Sequence, residues 1–132
     1  MTPATRNSSV ANRAPRILER DFQEQVIHFA QLNGWRVAHF RPARTEKGWR
    51  TPVQANGQGF PDLVLTRRDR LVFAELKSDT GTVTREQAAW LDALAATGAE
   101  THVWSPDDWP AVAATLARTL IEVLDTDPDT PA

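Results

Sequence analysis

Apolar positions recur along this chain with two different spacings. From about Ile17 to Asn33, Leu18, Phe22, Val26, Phe29, Ala30 and Leu32 fall near helical spacing, and Asn33-Gly34 supplies a stop. "WRVAHFRPA" then alternates Trp35, Val37 and Phe40 with polar residues and predicts a strand. "DLVLTRR" and "RLVFAELK" are apolar at nearly every position, which predicts two buried, central strands joined by a tight turn at Arg68-Asp69. "TREQAAWLDALAAT" predicts a helix with Thr84 as N-cap, Glu86-Gln87 in its first turn and Gly98 at its end. "THVWSP" is a further strand, and "DDWPAVAATLARTLIEVL" predicts one final helix with Pro110 in its first turn. The order is helix, three strands, helix, strand, helix, which indicates a mixed α/β domain with a crossover helix.

Between the first two strands, "RTEKGWRTPVQANGQG" reads as a long polar loop without structure of its own. Residues 1–15 are rich in Ser, Asn, Thr and Pro and read as a disordered tail. The expected organisation is therefore a tail over 1–15, a single domain over 16–125 and a frayed acidic end over 126–132.

Composition narrows the function classes. The 132 residues suffice for one core, with 41% hydrophobic and 24% charged residues as in ordinary soluble domains. No apolar run approaches the roughly 20 residues of a membrane span. The N-terminus has no apolar signal region, so a cytoplasmic protein is expected. Zero cysteines exclude disulfides, thiolate nucleophiles and Cys-ligated zinc. Net charge is only −2, but residues 1–60 carry nine Lys/Arg against four Asp/Glu, and residues 61–132 carry six against thirteen. The basic residues Arg36, Arg41, Arg44, Lys47 and Arg50 interleave with Trp35, His39 and Trp49, a patch able to steer a polyanion.

The acids in "FPDLVLTRRDRLVFAELKSD" need an account, because they interrupt otherwise buried strands. A turn symmetric about Arg68 and Asp69 sets Arg67 opposite Arg70 and carries Asp62 opposite Glu75. Directly paired residues share a face with Cβ atoms about 5 Å apart, and Lys77, two positions on, shares it too. Two carboxylates so placed repel. Lys77 bridging them, a proton on one of them, or a bound divalent cation would each relieve the conflict. Carboxylate oxygens with open positions for water and phosphate suit Mg²⁺ or Mn²⁺, which would stabilise charge at a scissile phosphate.

Pro61-Asp62 followed by Glu75-Leu76-Lys77 resembles the PD-(D/E)xK nuclease motif. With "GFPDLVL", "FAELK", "TREQAAWLDAL" and "GAETHVW" in order, the chain from about Glu19 to Leu120 resembles the virus-type replication-repair nuclease (VRR-NUC) family. That resemblance implies a restriction-endonuclease-like αβββαβ core with a mixed central sheet flanked by helices. It implies Asp62 and Glu75 as metal ligands, Lys77 serving the attacking water, and the Leu76 carbonyl as a further ligand. Related families add an acid from the first helix; Glu19 shares the inward side with Phe22 and Val26, whereas Glu24 points away. Gln87 matches a glutamine common on the helix after the lysine in such nucleases, where it would hydrogen-bond a phosphate or the metal-bound water; helix capping beside Thr84 is its other reading. His39 and Arg41, two apart on the preceding strand, share a face and are candidate phosphate contacts beside the acids; a core or surface histidine is the other reading of His39. Trp90 and Trp104 read as core.

The combined expectation is a Mg²⁺- or Mn²⁺-dependent DNA endonuclease whose loop from Arg41 to Gly59 engages DNA through phosphate contacts by Arg44, Lys47 and Arg50. Analogy adds branched or junction DNA as substrate and a homodimer as the assembly, with no membrane partner. The rival reading is a non-catalytic DNA-binding or assembly module that keeps the nuclease fold.

Overall fold

A computed structural model describes residues 19–40, 43–46, 48–50 and 53–125, with the backbone alone at 43–45, 49, 50 and 125. The expected tails over 1–15 and 126–132 lie outside the described residues. The elements are α1 (Glu19–Leu32), β1 (Arg36–His39), β2 (Ala43–Thr45), β3 (Gly48–Arg50), β4 (Leu63–Arg67), β5 (Arg70–Leu76), α2 (Arg85–Ala96), β6 (Glu100–Trp104), a 3-10 turn (Pro106–Asp108), α3 (Trp109–Leu116) and α4 (Leu120–Asp125).

The main sheet has the order β1-β4-β5-β6. β1, β4 and β5 are antiparallel neighbours, and β6 joins β5 in parallel after the α2 crossover. This is the αβββαβ arrangement of a restriction-endonuclease-like core. The β4–β5 turn is the two-residue one expected, since Arg67 pairs with Arg70 and Leu63 with Ala74. Arg68 bears the cost of that turn, standing at φ 54 in the left-handed region.

The pleat divides the sheet unequally. Leu63, Leu65, Val72, Ala74, Leu76 and Trp104 turn to one face and bury against Phe22, Val26 and Ala30 of α1 and Val112 and Leu116 of α3. Each Leu, Val or Phe of this set contributes about 1.5–3 kcal/mol on burial, so this one-sided cluster is a large source of stability. α2 covers the other face, where it packs on β5 and β6. α1 ends as its Asn-Gly pair predicts: Gly34 stands at φ 84, and the Trp35 N–H reaches back to the Ala30 carbonyl at 3.0 Å.

Two expectations are corrected. The "RTEKGWRTPVQANGQG" loop is not structureless among the described residues, because β2 and β3 pair as a small antiparallel ribbon, Ala43 with Arg50 and Thr45 with Gly48. The final helix is not continuous, since Ala117 is extended at ψ 146. The carbonyl of Leu116 instead accepts from Trp35 Nε1 (2.8 Å) and Arg67 (3.0 Å), and the Arg118 N–H donates to Asn33. Thr119 and Glu122 then start α4 as a reciprocal capping box, with Thr119 N–H on the Glu122 carboxylate at 2.6 Å and Glu122 N–H on Thr119 Oγ1 at 3.1 Å.

Candidate active site

The hairpin register, extended one residue beyond Leu63 and Ala74, sets Asp62 opposite Glu75. Asp62 is held from both sides. Its carbonyl accepts the Phe40 N–H at 2.9 Å, and its Oδ2 accepts the Leu76 N–H at 2.9 Å. In extended backbone the N–H and C=O of one residue point the same way, so the Leu76 carbonyl opens toward Asp62 as well. Pro61, fully buried, fixes the entry to this position.

Glu75 is the unusual group. It is only 2% exposed, and its Oε2 is buried with no hydrogen-bond donor in reach. Burial first, and then hydrogen-bonding contact with the Asp62 carboxyl and its charge, push Glu75 up to about 9, with Lys77 pulling the other way. Two ionised carboxylates can only accept, so a shared proton or a cation is needed to make the contact favourable.

Lys77 follows two residues on, anchored by its N–H on the Trp104 carbonyl at 2.8 Å. Its ammonium donates to Gln87 Oε1 at 2.7 Å. The same Oε1 accepts the Thr84 N–H at 2.9 Å, while the Gln87 N–H donates to Thr84 Oγ1. The capping reading of Gln87 is the one seen: its side chain completes the capping box of α2, and the same oxygen holds the lysine.

The remaining sequence-predicted residues divide. Glu19 is exposed as a residue, yet partial burial and then the Asp62 charge raise its carboxyl, and Lys77 lowers it, so it lies in the field of the site. Glu24 is exposed on the far side of α1. His39 pairs with Leu63, and paired residues share a face, so it lies on the α1 side of the sheet and not on the Glu75 face. That sets aside the place beside the acids and leaves the reading of a core or surface histidine; the register, not the proximity in sequence, decides the face. Arg44 and Arg50 belong to the backbone of β2 and β3, and Arg41 and Lys47 lie outside the described residues. Trp49 is in β3. Trp104 is core at 2% exposed, but Trp90 is half-buried and donates its Nε1–H to the Asn56 carbonyl at 2.9 Å.

Among the described residues, no three His, Cys, Asp or Glu side chains form a metal cage. The donors are the Asp62–Glu75 pair, with the orphaned Glu75 Oε2 between burial and repulsion, and this is a hard-oxygen set that fits a small divalent cation.

A sequence model of the VRR-NUC domain matches residues 16–105, more than half of the chain. The chain belongs to the VRR-NUC family. It is therefore a nuclease-type domain, of a class that generally works with divalent metal ions on DNA. A comparison with curated proteins gives no match. Among the described residues of this VRR-NUC domain, no helix is long and apolar enough to cross a membrane.

Proposed function

We propose that this VRR-NUC domain is a Mg²⁺- or Mn²⁺-dependent DNA endonuclease that cleaves phosphodiesters at the Asp62–Glu75–Lys77 site. The observation that carries the reading is a Glu75 carboxyl, 2% exposed, forced against Asp62 with one oxygen lacking a donor. An arrangement that costs stability and is kept at a sheet end is expected where charge is to be balanced by a ligand.

Asp62 and Glu75 would hold the cation, with the Leu76 carbonyl as a further oxygen donor, while Glu19, which forms no three-acid cage with them here, would add its negative charge to the field of the site. When bound, the ion supplies Lewis-acid stabilisation of the scissile phosphate and makes water a better nucleophile at neutral pH. Lys77 puts a positive charge on the Glu75 side of the sheet, where it neutralises charge accumulating on the phosphate and orients the attacking water. Gln87 fixes that ammonium by its 2.7 Å bond, and Leu76 N–H fixes the Asp62 carboxylate, so neither group reorganises during the reaction. The 41–59 segment, carrying Arg44, Lys47 and Arg50, would grip phosphates without reading sequence. We extend the proposal to branched or junction DNA and to a homodimer that sets two sites against two strands.

The test incubates the protein with supercoiled, linear, flap and four-way-junction DNA in Mg²⁺, Mn²⁺ or EDTA, beside Asp62→Ala and Lys77→Ala. Cleavage that needs the ion and falls at least about 1,000-fold in either variant is expected. Cleavage that survives either substitution would sink this site. Binding without cleavage under every condition would favour the DNA-binding module.

A further inference from the structure

We propose that Gly59 is a positioning residue for Lys77, acting through helix α2; the proposal rests on the nuclease reading above. Gly59 stands at φ +86, and a Cβ there would lie 2.6 Å from the Glu86 carbonyl carbon, 2.7 Å from Glu86 Cβ and 2.8 Å from the Gln87 nitrogen. Two of those atoms are backbone of the first turn of a helix, which cannot swing aside as a side-chain tip does.

The contact joins the two halves of the site. Three residues after Gly59 comes Asp62, held by Phe40 and Leu76. Across the contact is Gln87, which holds the Lys77 ammonium. The flanking residues strap the same seam. Trp90 on α2 donates to the Asn56 carbonyl, and the Phe60 ring meets Trp90 edge-on with centroids 5.0 Å apart. Phe60 also packs edge-on against Phe73 of β5 at 5.9 Å. With those straps on either side, the missing side chain of Gly59 sets how closely α2 approaches the acid-bearing segment. A methyl group there would force the first turn of α2 away, on the order of 1 Å, and a misplacement of that size costs roughly 100-fold in rate when it moves a catalytic group.

The test compares Gly59→Ala with Gly98→Ala. Gly98 also has a positive φ, +93, but a Cβ there meets nothing within 4 Å, so it reproduces the backbone strain without the contact. Two readouts are taken: kcat and KM for DNA cleavage, and the ¹⁵N resonance of the Lys77 ammonium in metal-free protein. Gly59→Ala is expected to lower kcat roughly 10- to 100-fold with KM within about two-fold, and to broaden or shift the Lys77 signal. Gly98→Ala is expected to keep both. Equal kcat losses in the two variants, or an unmoved Lys77 signal in Gly59→Ala, would overturn the proposal. If wild-type protein cleaves no DNA, the nuclease reading fails, and the Lys77 resonance still decides the positioning role. Should Gly59→Ala not fold, Trp90→Phe removes the donor to Asn56 and trims the ring that meets Phe60; an unchanged Lys77 signal there counts against the seam, and a shifted one supports it.

Discussion

Glu75 makes the stability of this domain depend on pH in an unusual direction. Its carboxyl ordinarily titrates at 4.5 and is pushed to about 9 in the fold. Between those values the folded protein holds a proton that the unfolded chain does not, so stability is full below about pH 4.5 and falls as pH rises toward 9. The limiting slope is about 1.4 kcal/mol per pH unit, or about 2 kcal/mol from pH 7 to 8.5. That window avoids His102, which burial holds below its usual value and which therefore titrates at lower pH. Urea unfolding of wild type and Glu75→Gln across pH 7–8.5, without divalent ions, measures the effect. Wild type is expected to lose about 2 kcal/mol and the variant less than about 0.5, because a neutral amide has no proton to lose. Millimolar Mg²⁺ should then stabilise wild type more at pH 8.5 than at pH 7, since the cation takes the place of the proton, and should do so little in the variant. Parallel slopes for the two proteins would show that Glu75 is not protonated in the fold, and the strain argument would go with it.

Three further outcomes follow from the geometry. Arg67→Met keeps the volume of a residue that is 6% exposed but removes the donor to the Asn33 and Leu116 carbonyls and to Glu122; thermal or chemical unfolding should show a loss of about 2–3 kcal/mol. Gln87→Ala should lose about 1 kcal/mol of capping and slow cleavage, while Gln87→Glu, which keeps the acceptor for Thr84 and Lys77, should retain stability; equal stability of the two would refute the capping box. Arg68→Asn, at an exposed turn residue with φ 54, should stabilise by up to about 1 kcal/mol, and a loss would mean that the turn does not carry the strain.

The hairpin was the most legible part of the sequence because its information is local and periodic. Two apolar runs around Arg68-Asp69 admit one symmetric register, and a slip of one residue would have turned Leu63, Leu65, Val72 and Ala74 out of the core they fill. That same register separates His39 from the acids, a consequence hidden in the β1–β4 pairing, which no short turn specifies. The break between α3 and α4 was illegible for a similar reason. Helical spacing runs through "LARTLIEVL", and what stops the helix is remote: Trp35 and Arg67 both donate to the Leu116 carbonyl, from 81 and 49 residues away in sequence. The one local signal of a second helix is the Thr119–Glu122 box, and the continuous helical spacing masks it.

At the site, sequence supplied the identities and the fold supplied the electrostatics. Asp62, Glu75 and Lys77 can be named from their spacing, but spacing cannot say that Glu75 is 2% exposed while its Oε2 has no donor. Nor can it say that one glutamine oxygen serves both a helix cap and an ammonium. These facts change the reason for the motif. A solvated Glu-x-Lys pair at a strand end would be nearly neutral in energy. Buried against Asp62 and beneath α2, the same residues form a site whose charge is unbalanced until a cation or proton arrives. The seam at Gly59 belongs to the same logic, because a charge balance this costly is useful only if the lysine is held at a fixed distance from it.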